Sequence, residues 1–334
     1  MIWQIHNIIF DSSLKLQNGE KIYSLQAAYS DTGGANPVML VLHGFSSNTD
    51  LPSWWTKFDW DNLSQRYRII CINCLGSCHG ALGPKDGASI EENNIYYTLT
   101  IKDTVEYVKS VLSHLGIDEI ELMIGCSLGG MQALDFYLNQ ESFKISKTIS
   151  VCGSPLRNSI LLYNQAQIQL LKEMNMIGLE DVRKIAVKYA RYFFRLSCTN
   201  DRALNILKNK IQKFSTEFES LNNYYTNDGS DYYSQFSLES FISIMSIINS
   251  FKIDLQNTLS TSYNRKLLLV GISSDSFTPL EDVESLSESL NYMNYKNKFL
   301  KFKSDFGHEA WILEGEKLYE ILHPYLYSDT VWDS

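Results

Sequence analysis

The stretch Ile120-Glu-Leu-Met-Ile124-Gly125-Cys126-Ser127-Leu128-Gly129-Gly130-Met-Gln-Ala-Leu134 holds the pattern G-x-S-x-G between two unlike segments. Ile120 to Ile124 is a short apolar run with the character of a buried strand, and Leu128 to Leu138 reads as a helix. A turn from strand to helix this tight leaves no room for side chains two residues either side of Ser127, which accounts for Gly125 and Gly129. The serine is held in strained backbone with its hydroxyl pushed outward. The N-terminus of the following helix favours negative charge beside it. Ser127 is therefore the candidate nucleophile.

Outward from this turn the chain alternates strand and helix. Ile2 to Phe10, Leu14 to Leu16 and Ile22 to Tyr29 read as strands, with a turn at Asn18-Gly19. Val38 to Leu42 and Arg68 to Asn73 are continuous apolar runs of the kind buried on both sheet faces. Ile101, Val105, Val108, Leu112 and Leu115 recur at helical steps over Thr100 to Leu115, and Gly116 closes that helix. Lys147 to Val151 is a further strand. From about Leu156 to Leu259 the texture is helical only. Strand grammar returns at Lys266 to Gly271, followed by a helix over Pro279 to Leu290, a strand at Phe299 to Phe302 and a last helix over Glu309 to Leu322. The pattern predicts an α/β fold, a mostly parallel sheet flanked by helices, with residues 1–155 and 262–334 as core and 156–261 as a helical cap insertion.

A serine hydroxyl needs a base. Of six histidines, only His308 and His323 follow Ser127 in the chain order nucleophile, acid, histidine. His308 lies in the loop after the predicted final strand, whereas His323 sits near the end of the last helix. His308 is thus the predicted base. Asp275, four residues beyond the strand at Lys266 to Gly271, is the predicted acid that fixes the imidazole tautomer. Two donors are expected for the oxyanion: the backbone amides of Leu128 and Phe45. His43, just before Phe45, reads as a structural hydrogen-bonder. Cys71, Cys74, Cys78 and His79 have spacing that suggests zinc, but Cys71 and Cys74 should point to opposite sides of a strand end, and no metal is expected.

Beyond these residues the chain resembles the homoserine O-acetyltransferase family, acyltransferases of the α/β-hydrolase fold. The resemblance rests on Thr100-Ile-Lys-Asp-Thr, His114-Leu-Gly-Ile and Gly125-Cys-Ser-Leu-Gly-Gly-Met-Gln-Ala-Leu134. It also rests on Asn73-Cys-Leu-Gly-Ser-Cys-His-Gly-Ala-Leu-Gly-Pro84, Ser274-Asp275-x-x-x-Pro279 and Gly307-His308-Glu-Ala-x-x-Leu-Glu314. It implies ping-pong acyl transfer from acyl-CoA, a co-substrate and not a resident cofactor, to a hydroxyl acceptor. It further implies a helical cap and often a homodimer through that cap. Asn73, Asn164, Ile168 and Glu309 fall at substrate-binding positions of the family. Ile168 stands where the family has an arginine for the acceptor carboxylate, and Glu309 where it has an aspartate for the acceptor amine. These departures put homoserine as the acceptor in doubt.

The formal charge is -9, which makes nucleic acid and anionic lipid poor partners. No apolar run approaches the roughly eighteen residues of a membrane span. Without a signal-like N-terminus, six cysteines read as reduced thiols and a cytoplasmic location. From Arg157 to Lys213, eleven basic residues face four acidic ones. Arg183, Lys184, Lys188 and Arg191 are the candidates to attract the CoA phosphates, against the plainer reading of a solvated helix face. The partners expected are a small-molecule acyl donor and an alcohol. The alternative function is a serine esterase or thioesterase of the same fold, since water can replace the alcohol. A receptor or scaffold that has lost its chemistry is disfavoured by the presence of all three candidate residues.

Overall fold

The computed structural model describes residues 3–139, 143–211, 217–254 and 265–333. β1 (Gln4–Lys15) and β2 (Lys21–Asp31) form an antiparallel hairpin, turned at Gly19, whose φ is +90°. β3 (Val38–Leu42), α1 (Leu51–Trp54), α2 (Trp60–Arg66), β4 (Arg68–Ile72), α3 (Ile90–Tyr97) and α4 (Ile101–His114) follow. Then come β5 (Glu119–Cys126), α5 (Leu128–Leu138) and β6 (Lys144–Val151). Among the described residues, five consecutive helices separate β6 from the next strand: α6 (Asn158–Met176), α7 (Glu180–Ser197), α8 (Asp201–Ile211), α9 (Glu217–Tyr233) and α10 (Leu238–Ser250). β7 (Lys266–Ile272), α11 (Leu280–Tyr292), β8 (Asn297–Phe302), α12 (Ala310–Leu313), α13 (Gly315–Tyr327) and α14 (Thr330–Asp333) complete the chain.

The eight strands form one sheet in the order β1-β2-β4-β3-β5-β6-β7-β8. β2 pairs antiparallel with β4, and every pairing from β4 through β8 is parallel. Strand residues alternate between two cores, as a sheet covered on both faces requires. Leu40, Leu42 and Met123 join one cluster, while Met39, Val41, Leu122 and Ile124 join the other. The two halves of the chain that flank the cap thus build a single sheet: β6 pairs with β7 from Lys147 to Val151 across the whole helical insertion. The parallel strands end at one edge, and the loops after β3, β5, β7 and β8 converge there.

Helix boundaries follow from capping. Thr100 accepts the Asp103 amide while the Asp103 carboxylate receives the Thr100 amide, a reciprocal cap that starts α4. The predicted last helix over Glu309 to Leu322 is corrected. A 3-10 turn (Gly307–Glu309) runs into α12, and the chain breaks at Glu314 before α13. Gly315 stands at the break, but a single glycine within a helical pattern does not by itself end a helix, so periodicity carried the reading across it. The short helices α1, α2 and α3 also escaped the sequence reading. The expected cap boundary at 261 and 262 lies outside the described residues, as does Lys213. Among the described residues, no helix is long and apolar enough to cross a membrane.

Candidate active site

Ser127 ends β5 and opens α5 with φ +57° and ψ −120°, a conformation that a side-chain-bearing residue rarely adopts. Its amide donates to Val151 O at 2.9 Å, which ties the turn to β6. The close packing around it explains the glycines. A Cβ on Gly125 would lie 2.0 Å from Gly129 O, and one on Gly129 would lie 1.9 Å from Leu42 O. No side chain survives such distances, so the expectation from the sequence holds as steric fact. The first hydrogen bond of α5 runs from Met131 N to Ser127 O, which leaves the amides of Leu128, Gly129 and Gly130 outside the helix ladder.

Three elements bring three side chains into line. His308 Nε2 is 2.7 Å from Ser127 Oγ, and His308 Nδ1 is 2.6 Å from Asp275 Oδ2. Ser127 is 4% exposed and His308 3%. The carboxylate is itself fixed. Asp275 Oδ1 accepts the amides of Phe277 at 2.8 Å and Thr278 at 2.9 Å, and Oδ2 accepts Thr278 Oγ1–H at 2.8 Å. Burial opposes an imidazolium at His308, but the Asp275 carboxylate outweighs it, so the ring holds a proton well above the ordinary histidine range. The arrangement can take the proton of the serine hydroxyl and hold the resulting positive charge next to a carboxylate.

The two expected oxyanion donors lie on the turn after β5 and the loop after β3. Leu128 opens α5. Phe45 sits in a turn closed by Ser47 N–H to Gly44 O at 3.3 Å, which does not engage the Phe45 amide. His43 is a structural group, as read from the sequence. Its Nδ1 donates to Gly44 O at 2.8 Å, and its Nε2 accepts the Cys74 amide at 3.0 Å beside Asn73 Oδ1. Burial depresses it to about 4, so it stays neutral.

The other residues expected to bind substrate or donor are placed as follows. Asn73 is fully buried, and its side chain clamps the loop that follows β4 by donating to Cys78 O at 2.6 Å and His79 O at 3.0 Å. Its amide is spent on the fold and not offered to a substrate. Glu309 is held by Arg195 through two bonds of 3.1 and 2.9 Å, so its charge is answered from within the protein. Arg183 is buried and bound by Glu239, Asp86 and Asn175, which removes it from any phosphate-binding group. Arg191 pairs with Asp228 at 3.0 Å, reaches Ser46 Oγ at 3.2 Å and lies over the Tyr232 ring. Lys184 remains half exposed on α7. Lys188 lies beside the Tyr189 ring. Asn164 is buried and donates to Asn249 Oδ1 at 2.9 Å, and Ile168 is buried in the main core cluster.

The cysteines separate as expected. Cys71 lies in one core cluster and Cys74 in the other, while Cys78 Sγ meets Ser237. A different grouping appears at the site itself, where donor atoms of Cys152, Asp275 and His308 lie within 4.8 Å of one another. Burial pushes the Cys152 thiol up to about 11, and Asp275 is already committed to His308 and Thr278, so this donor set suits the proton chain and not a metal.

The sequence reading missed the residues that fasten the cap to these loops. Cys198 O at the end of α7 accepts the His308 amide at 2.9 Å. Asn200 Nδ2 donates to Ser274 O at 2.8 Å, and Arg202 pairs with Asp305 at 3.0 Å. Thr278 had a visible signal, a hydroxyl residue three positions after Asp275 and just before Pro279. Arg195 had none, because its partners Glu309 and Asp228 lie far off in the chain.

A parallel sheet with a strained serine at a strand-to-helix turn, met by a histidine and an acid from later loops, is the architecture of the alpha/beta hydrolase fold. Residues 37–314 match the family of that description, and the chain belongs to it. Within that family the chain is similar to homoserine O-acetyltransferases. It is 25% identical over 368 aligned positions to that of Methanobrevibacter ruminantium, spanning 97% of this chain and 73% of that protein. Its fold is shared with the homoserine O-acetyltransferase from Bacillus anthracis, with a TM-score of 0.81, 16% identity and coverage of 98% of each chain. An acetylester hydrolase from Corynebacterium glutamicum shares it too, with a TM-score of 0.79, 14% identity and coverage of 97% of this chain and 96% of that one.

Proposed function

We propose that this protein is an acyltransferase that moves a short acyl group from acyl-CoA to an alcohol through an acyl-serine intermediate. The hydrogen-bond chain from Ser127 through His308 to Asp275, at 2.7 and 2.6 Å, carries this reading. Ser127 Oγ attacks the thioester carbonyl as its proton passes to His308 Nε2. The amides of Phe45 and Leu128 receive the oxyanion. The imidazolium returns the proton to the departing CoA thiolate, and the C–S bond breaks. The acceptor hydroxyl then gives its proton to His308 and attacks the ester, which regenerates Ser127.

The acceptor is an alcohol other than an α-amino acid. Ile168 offers no charge to a carboxylate, and Glu309 is already paired with Arg195. The same observation supports a second reading, hydrolysis, in which water takes the acceptor's place. The six cysteines are all unpaired, in keeping with a reducing cytoplasm. Leu162, Leu170, Ile185, Tyr189 and Phe193 are exposed on α6 and α7, and we assign this apolar face to a homodimer through the cap. Sedimentation at micromolar concentration tests it, and a monomer refutes it.

Mass spectrometry of the intact protein with a panel of acyl-CoA thioesters tests the chemistry. The expected result is one acyl group on Ser127 and none on Ser127→Ala. Decay of the loaded enzyme is then followed with and without added alcohols. Acceleration by an alcohol identifies a transferase, whereas decay indifferent to every alcohol identifies a hydrolase. A protein that never acylates ends both readings.

A further inference from the structure

We propose that Phe194, on the cap helix α7, sets the size of the acyl group that Ser127 accepts and confines it to acetyl-sized chains. This rests on the reading of Ser127 as an acyl-carrying nucleophile. Two aromatic residues belong to the loops of the site, Phe45 after β3 and Phe277 against His308. Phe45 carries one candidate oxyanion amide on the loop after β3. Phe277 donates its amide to Asp275 and sets its ring 4.9 Å from the His308 imidazole. Phe194 touches both. Its ring stacks on Phe45 with centroids 4.4 Å apart and 25° between planes, and meets Phe277 edge-on at 5.7 Å. One side chain from the cap thus spans the distance from the oxyanion side of the serine to the imidazole side.

The ring has no freedom to withdraw. Behind it, Phe241 contacts Phe45 at 4.8 Å and Phe194 at 6.3 Å, and Phe236 stacks on Phe45 at 5.9 Å. Phe45, Phe194, Phe241 and Phe277 are all buried. The backbone that carries the ring is fixed as well. Phe194 O accepts the Ser197 hydroxyl at 2.7 Å and the Cys198 amide at 3.2 Å, and Cys198 O in turn accepts the His308 amide. The next residue, Arg195, is ion-paired with Glu309. The cap is therefore registered against the histidine loop at this position. Aromatic rings packed against one another, Phe45 stacked on Phe194 and Phe277 edge-on to it, leave little room for a growing alkyl chain unless one of them moves, and here each is braced by another. An acyl chain longer than acetyl must displace Phe194 or stop short of the serine.

The test uses the full chain and 4-nitrophenyl esters of acetate, butyrate, hexanoate and octanoate, with kcat/KM taken from the burst of nitrophenol. The wild type is expected to fall steeply from acetate to hexanoate. Phe194→Ala is expected to raise the hexanoate-to-acetate ratio by about tenfold or more, the scale at which a few methylenes discriminate in an apolar pocket. Phe194→Leu keeps a large apolar side chain and is the second variant should the alanine variant fail to fold; a ratio raised at least threefold is expected. An unchanged ratio in a folded variant overturns the proposal, as does a wild type that prefers hexanoate. Failure of the underlying reading looks different: no ester labels the wild type at Ser127, or Ser127→Ala labels equally well.

Discussion

Arg195 grips Glu309 through one edge of its guanidinium, Nε and Nη2 donating at 3.1 and 2.9 Å, and so fixes the residue that directly follows His308. The pair joins the cap to the loop that bears the base. Asp228 of α9 shares the same arginine at 3.1 Å, and the rings of Tyr224 and Tyr225 enclose it. Removal of Arg195 leaves the half-buried Glu309 without its partner, whereas removal of Glu309 leaves Arg195 still paired with Asp228, so the first change costs more stability than the second. Arg195→Met is therefore expected to lower thermal stability and kcat together, while Arg195→Met with Glu309→Leu recovers much of the stability. Thermal unfolding of Arg195→Met, Glu309→Leu and the double variant checks this; a double-variant loss equal to the sum of the two single losses would show that the pair is not coupled.

His308 must be neutral to accept the serine proton. The Asp275 carboxylate, acting against burial, raises the ring's proton affinity well above the ordinary value. Activity should thus disappear on the acid side and rise with pH through a midpoint above the usual histidine range of about 6.5. Asp275→Asn removes the raising charge and leaves burial, so the midpoint moves down even as kcat drops. A pH profile of the acylation rate in both proteins measures the shift, and a variant midpoint at or above the wild-type value contradicts the assignment.

Thr278 donates to Asp275 Oδ2 and lies 3.3 Å from His308 Nδ1, with Cys152 O at 3.2 Å as a further partner. It is a positioning residue for the acid. Thr278→Val keeps the shape and deletes the hydroxyl. We expect kcat to fall roughly tenfold, the worth of about one charge-assisted hydrogen bond, with KM little changed. Thr278→Ser should restore most of the rate. If valine and serine behave alike, the hydroxyl has no part in holding the acid.

Of the four cations read from the sequence as a donor-binding group, Arg183 and Arg191 are committed to internal partners, whereas Lys184 is half exposed and only loosely paired with Glu180 at 3.7 Å. Lys184→Ala with Lys188→Ala is expected to raise the acyl-CoA KM a few-fold in low salt, an effect that fades as salt is added. Arg183→Met should instead cost stability and leave the donor KM unchanged. Steady-state kinetics at two ionic strengths separate the two outcomes. An unmoved KM in the lysine double variant reduces this face to solvated charge.

His43 supplies a stability signature. Burial depresses it to about 4, whereas the unfolded chain protonates near 6.5. The unfolded state binds the extra proton, so this contribution is complete above about 6.5 and is lost as pH falls toward 4, by about 3 kcal/mol. Urea unfolding of the wild type should weaken over that window by more than that of His43→Gln. Parallel pH dependences would assign the loss to other groups.

Much of the candidate site's geometry was legible in the chain because it depends on local sterics. Gly125 and Gly129 can be read as a turn with no space for side chains, since the collision is with backbone a few residues or one strand away. Ser127, Asp275 and His308 follow from loop positions after strands, and alternating strand and helix predicts where those loops gather. The parallel strands β3, β5 and β7 were likewise evident as short apolar runs.

The fold class and the chain order of Ser127, Asp275 and His308 are readable without coordinates, because both are written in short-range patterns of size and polarity. Which charges are already partnered becomes visible only in three dimensions. Arg183, Arg195 and Glu309 look like available ions along the chain. Their partners come from elements dozens of residues away, brought close by cap packing that no local pattern encodes. A charge belongs to its residue, but its availability depends on every neighbour that folding supplies.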